Sequence, residues 1–158
     1  MSKPSIKNYL PWFLFTEAVG VISGWISREG ITNFNETAIL PQITPPPILF
    51  PVVWILLYGL MGISAARIFM QTKSPERNQG LNLFIAQLIV NFFWSPFFFR
   101  GNAYGFALIW LLVLWILVLR MIQVFKKSDK IAAYLQVPYL LWLTFAAYLN
   151  WSVWKLNG

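Results

Sequence analysis

Between Pro45 and Phe69 the chain reads PPPILFPVVWILLYGLMGISAARIF, with no charged residue before Arg67. A run of about 18 or more apolar residues is what a helix needs to cross a bilayer. The prolines gather at the start of the run, where the first helical N–H groups have no intrahelical acceptor and a missing donor costs little. Trp54, Tyr58 and Met61 recur at helical spacing and so share one stripe. Crossing a membrane does not require a polar-aromatic stripe. It specifies what the helix faces inside the protein, and it is the first sign of a pocket.

Composition supports a membrane chain. Of 158 residues, 58% are apolar and 11% charged, and the mean hydropathy is +0.62. A soluble domain carries about 25% charged residues, so this chain lacks the polar side chains to cover a soluble surface. Histidine and cysteine are absent. That excludes His–Cys zinc sites, Ser–His–Asp and Cys–His nucleophiles, disulfides and thiolate-ligated haem. Five acidic residues leave little for a metal cage or a carboxylate-pair hydrolase, and neither a metal nor a cofactor is expected. The net charge of +7 does not indicate nucleic acid, because the basic residues lie between apolar spans rather than along one stripe. Contact with anionic lipid is the better reading.

The sequence predicts an all-α fold, a five-transmembrane-helix bundle forming a single integral membrane domain. Its helices are expected at about residues 9–27, 47–70, 81–99, 103–125 and 131–154. Ser74-Pro75-Glu76 opens a turn before the third span, and Ser128 and Asp129 are candidate N-caps before the fifth. No tandem repeat is visible, and five spans do not divide into equal inverted halves, which argues against repeat-built transporter folds. Lys3 and Lys7 before the first span suggest a signal peptide. That span lacks a small-x-small cleavage site, holds Glu17 and precedes four more spans, so it reads as a retained helix. Nine of the twelve basic residues fall at the N-terminus and around the connectors after spans two and four, leaving Arg28, Arg100 and Lys155 opposite. The positive-inside rule then predicts a cytoplasmic N-terminus, with the first connector and the C-terminus outside.

Three further segments bear on function. Asn91, Trp94, Ser95 and Phe98 share one face of span three, Trp142, Ala146 and Leu149 one face of span five, and Phe106 opens span four. An amide is costly in lipid without a partner, so Asn91 should point into the bundle. Glu17 is the one acid well inside a span and is a functional candidate on the same ground, against the plainer reading of a carboxyl bonded to a neighbouring helix. Trp12, Trp25, Trp151 and Trp154 sit near span ends, as interfacial belt residues do. Pro96 and Pro138 read as kinks rather than ligand contacts. Gly20-x-x-x-Gly24 suits close helix approach, either within the bundle or in a homodimer.

The order of motifs resembles one family. PPxxxFPxxWxxLYxxMG, then Asn-x-x-Trp-Ser-Pro-x-Phe-Phe, then Val-Pro-Tyr-Leu-x-Trp-x-x-x-Ala-x-x-Leu-Asn is similar to the translocator proteins. These form the TspO/MBR group, also called tryptophan-rich sensory proteins or peripheral benzodiazepine receptors. The likeness spans about Gly20 to Asn157. It implies a five-helix bundle whose pocket, under the first connector, takes porphyrins or other tetrapyrroles, sterols and synthetic ligands such as isoquinoline carboxamides, for sensing or transport. The ligand-binding positions it implies are Trp54, Tyr58, Asn91, Trp94, Ser95, Phe106, Trp142, Ala146 and Leu149.

An alternative implied by the same resemblance is an enzyme that degrades porphyrin in light and oxygen, with Trp54 and Trp142 as its catalytic candidates. A third reading is a partner-binding protein working through a dimer face. The chain departs from the family pattern at Asn33-Phe34, where a Trp-Tyr pair is usual, and at Ile43 and Ile48, where Trp flanks the prolines. With fewer rim aromatics, stacking on a porphyrin from above should be weaker. Trp151 before Lys155 stands where the mammalian sterol motif needs a Tyr before a basic residue, which argues against that motif here.

Overall fold

The computed structural model describes residues 5–158; Lys3, counted above in the basic asymmetry, lies outside the described residues. The described chain is helical, with α1 Ile6–Ile26, α2 Arg28–Thr37, α3 Leu49–Phe69, α4 Pro75–Ser95, α5 Tyr104–Ser128, α6 Lys130–Leu135 and α7 Val137–Asn157. A π-helical turn over Pro96–Arg100 extends α4. Five segments are long and apolar enough to cross a membrane: α1, α3, α4 with its π turn, α5, and α6 with α7.

Local chemistry explains the boundaries. At the start of α4 the Ser74 hydroxyl accepts from Arg77 N–H at 3.1 Å, with Pro75 in the first turn. Asp129 caps α6 by accepting from the N–H groups of Ile131 and Ala132, whereas Ser128 is the last residue of α5. At the end of α4, Pro96 brings no N–H to the Phe92 carbonyl one turn back. The Ser23 hydroxyl of α1 donates to that carbonyl instead, at 2.8 Å. Beyond the proline the ladder lengthens to a π turn, closed by Gly101 N–H on Pro96 O at 3.0 Å. Pro138 acts similarly at the other kink, where Gln136 N–H turns to Ala133 O and divides α6 from α7.

Two features depart from the sequence reading. α4 begins at Pro75 rather than at the expected residue 81, because the Ser74 cap and Pro75 start the helix while its first two turns are still polar. The first connector, expected without helix, contains α2. Gly30 lets α2 lie against the π turn, since an added Cβ would stand 2.5 Å from Phe99 O. Phe34 inserts its ring beside Phe98, Phe99 and Tyr104, with centroids at 5.2, 5.3 and 6.2 Å. Tertiary burial of that one ring, rather than the polar sequence around it, holds this short helix.

The bundle centres on α3. Its apolar window is 44% buried, against 11% for α1, which lies at the edge. α1 meets α3 closely at Gly62, where the backbone of Phe13 passes and the Thr16 hydroxyl donates to Tyr58 O at 2.7 Å. Met61, Ala65 and Ile68 of α3 join Phe84, Leu114, Met121 and Leu143 in the core. Each end of the bundle is tied together. At one, Arg67 closing α3 pairs with Asp129 at 2.8 Å and reaches the Tyr9 hydroxyl of α1. At the other, the Asn150 amide donates to Tyr104 O at 2.8 Å. There too the Asn157 amide exchanges two hydrogen bonds with the backbone of Ile39, at 3.0 and 2.9 Å.

Candidate functional site

The stripe on α3 meets α4 and α7 in the middle of the bundle. The Trp54 ring lies 5.5 Å from Tyr58, 6.2 Å from Tyr139 and 6.5 Å from Trp142, the last two edge to face. Phe50, one turn before Trp54, packs edge to face against Trp142 at 5.8 Å. These arrangements let a positive ring edge meet a negative ring face.

A chain of hydrogen bonds runs beneath the rings. Tyr58 O–H donates to Asn91 Oδ1 at 2.5 Å, Asn91 Nδ2 donates to the Tyr139 hydroxyl at 2.6 Å, and Tyr139 O–H donates to Gln87 Oε1 at 2.8 Å. The donors point one way, from α3 through α4 and α7 and back to α4. Asn91 is 5% exposed; it points into the bundle and finds partners on two other helices. Buried polar groups are generally satisfied in this manner.

One indole stands out. The N–H groups of Trp94, Trp110 and Trp115 donate to Asn150 Oδ1, Val90 O and Thr144 Oγ1. Trp142 Nε1 is buried with no protein partner, as are Gln87 Nε2, the side-chain amide of Gln136 and the Ser27 hydroxyl. A buried donor without an acceptor costs about 1–3 kcal/mol. Of these, Trp142 is the one whose own ring packs among other aromatic rings.

Four of the nine implied ligand positions, Trp54, Tyr58, Asn91 and Trp142, meet in this cluster. Ala146 packs on the core and Leu149 is buried, both further along the same α7 face. Trp94 belongs to a second aromatic group nearer α2, stacked on Phe98 at 5.0 Å, with the half-buried Ser95 beside it at the end of α4. Phe106 stands apart, 51% exposed and packed against Phe97 and Trp110. Ile43 and Ile48 are 52% and 71% exposed. Glu17 is half-buried, with no hydrogen bond or ion pair among the described residues. Gly20 packs on the Tyr58 ring, a contact within the bundle, while nothing approaches Gly24.

Three participants escaped the sequence reading: Tyr139, Gln87 and Phe50. Each carried a usable signal. Tyr139 lies one turn before Trp142, Gln87 one turn before Asn91 and Phe50 one turn before Trp54, so each shares the face of a residue already singled out.

The comparisons with known proteins agree with this architecture. Residues 12–155 match the TspO/MBR family. The Tryptophan-rich protein TspO of Chlorobaculum tepidum is 35% identical over 141 residues, 89% of each chain. Protein CrtK of Rhodobacter capsulatus is 38% identical over 118 residues, 74% of each chain. The Translocator protein of Sus scrofa is 34% identical over 119 residues, 74% of this chain and 70% of its own. With a family match over nearly its whole length, five spans and a tryptophan-lined centre, the chain belongs to the TspO/MBR family.

Proposed function

We propose that this membrane protein binds a planar hydrophobic ligand of the porphyrin or wider tetrapyrrole class between α3, α4 and α7, for sensing or transport. The observation that carries the reading is the buried Trp142 N–H, a donor without a protein acceptor amid the rings of Phe50, Trp54 and Phe145. A ligand carbonyl or carboxylate would satisfy it. Apolar burial supplies most of the affinity, at about 2.5 kcal/mol per ~100 Å², and a hydrogen bond of about 1 kcal/mol fixes the orientation. Because the rings touch one another, Phe50 is the side chain that a ligand entering from the α2 end displaces. Sterols offer a similar flat apolar face with a hydroxyl, and they compete for the same space. The nine-to-three basic asymmetry supports an orientation with the end holding Arg67 and Asp129 in the cytoplasm and the α2 end outside.

The test is a titration of the purified protein with protoporphyrin IX, followed by quenching of tryptophan fluorescence. Trp142→Phe keeps an aromatic ring and deletes the donor. It should weaken binding about two- to tenfold, the worth of one net hydrogen bond, with helicity unchanged. Equal affinity in the two proteins would remove Trp142 from the site.

The close Trp54–Trp142 pair, at 6.5 Å, supports a second reading, porphyrin breakdown driven by light and oxygen with indole as the redox-active group. Product formation under illumination, lost in Trp54→Phe and Trp142→Phe, separates this reading from simple binding.

A further inference from the structure

A second depression, away from the aromatic cluster, lies between the chain after α2 and the end of α7. Leu40, Pro41, Gln42, Trp151, Lys155 and Leu156 line an open groove of about 420 Å³. Its walls are joined by the two hydrogen bonds between Asn157 and the Ile39 backbone.

The lining sorts by chemistry. Ile39, Leu40, Pro41 and Leu156 are apolar and Trp151 presents a half-exposed ring. Lys155 Nζ sits 5.9 Å from the centre of that ring, a cation–π arrangement that holds the ammonium over the groove. Lys155 makes no ion pair among the described residues, and neither Ser152 nor Gln42 has a side-chain hydrogen bond there. The polar part therefore offers an ammonium, a hydroxyl and an amide, and no carboxylate.

Position narrows the occupant. The fifth span, α6 with α7, has 28 residues, more than the roughly 30 Å hydrocarbon layer needs at about 1.5 Å per residue. Lys155, near its last turn, thus stands at headgroup depth, beside Trp151 and Trp154 as interfacial aromatics. The geometry points to a bound anionic phospholipid, its phosphate at Lys155, Ser152 and Gln42 and its glycerol and upper acyl chain along Leu40, Leu156 and Trp151. A zwitterionic lipid is disfavoured, because the lining has no anion to meet a choline or ethanolamine cation.

Native mass spectrometry of the whole protein, released from nanodiscs of equal phosphatidylglycerol and phosphatidylcholine, tests this. The unaltered protein should retain phosphatidylglycerol preferentially. Lys155→Gln should cut that preference about fivefold, the effect of one lysine near an anionic surface, and Lys155→Arg should keep it. Lys126→Gln, at the opposite end of the bundle, should lower it much less than Lys155→Gln. The inference is overturned if the unaltered protein shows no preference, if Lys155→Gln behaves like it, or if Lys126→Gln loses as much. Displacement of the lipid by excess inorganic phosphate would overturn the lipid as occupant, since a free anion would then suffice.

Discussion

Asn91 holds three helices together, and Asn91→Leu tests how much that contributes. The substitution keeps the branched shape, with methyl groups in place of the amide oxygen and nitrogen, and removes two interhelical hydrogen bonds, from Tyr58 at 2.5 Å and to Tyr139 at 2.6 Å. Tyr139 retains Gln87 as its acceptor. Tyr58, 7% exposed, is left with a buried hydroxyl and no acceptor. Inside a membrane each such bond is worth about 0.6 kcal/mol on average and at most about 1.7, because the unfolded spans also find partners. The loss should therefore be about 1–3 kcal/mol, with most of it on the Tyr58 side. Unfolding in mixed micelles of mild detergent and dodecyl sulfate, followed by circular dichroism, measures it. A double-mutant cycle sharpens the test: Tyr58→Phe should cost about 0.6–1.7 kcal/mol in the unaltered protein and close to nothing in the Asn91→Leu background. An equal cost in both backgrounds, or no loss from Asn91→Leu itself, would mean that the chain of bonds does not support the bundle.

Glycines give a steric contrast. Gly62→Ala sets a Cβ 2.6 Å from the Phe13 backbone and should cost about 1–3 kcal/mol, whereas Gly24→Ala meets nothing within 4 Å and should be neutral or stabilising by up to about 1 kcal/mol; the same micelle titration compares them. Cysteines introduced at Asn33 and at Ser74 should react with an impermeant reagent from opposite sides of the membrane, and labelling of both from one side would refute the orientation. Ile43→Trp with Ile48→Trp should tighten porphyrin binding by up to about 1.5 kcal/mol per ring while barely affecting a smaller ligand held beside Trp142. No gain for porphyrin would show that these exposed positions do not face it.

Much of this protein was determined by local sequence. The spans were legible because lipid demands long uncharged helices with satisfied backbones, and such runs are visible in hydropathy alone. Ser74, which reads as a turn, caps α4, whereas the cap at Asp129 and the kinks at Pro96 and Pro138 act within one helical turn and were equally readable. So was the inward face of Asn91, since an amide has nowhere else to go in hydrocarbon. The tertiary structure decided what depends on residues far apart in the chain. It folded α2 from a polar connector, because Phe34 found a ring cage built by the π turn and α5. It assigned Asn91 to two tyrosines, gave Trp94 to Asn150 and left Trp142 without an acceptor. It also set Phe106 apart from the positions it was grouped with. Spacing along a helix fixes which side chains share a face, but only the packing of one helix against another fixes which partner that face meets.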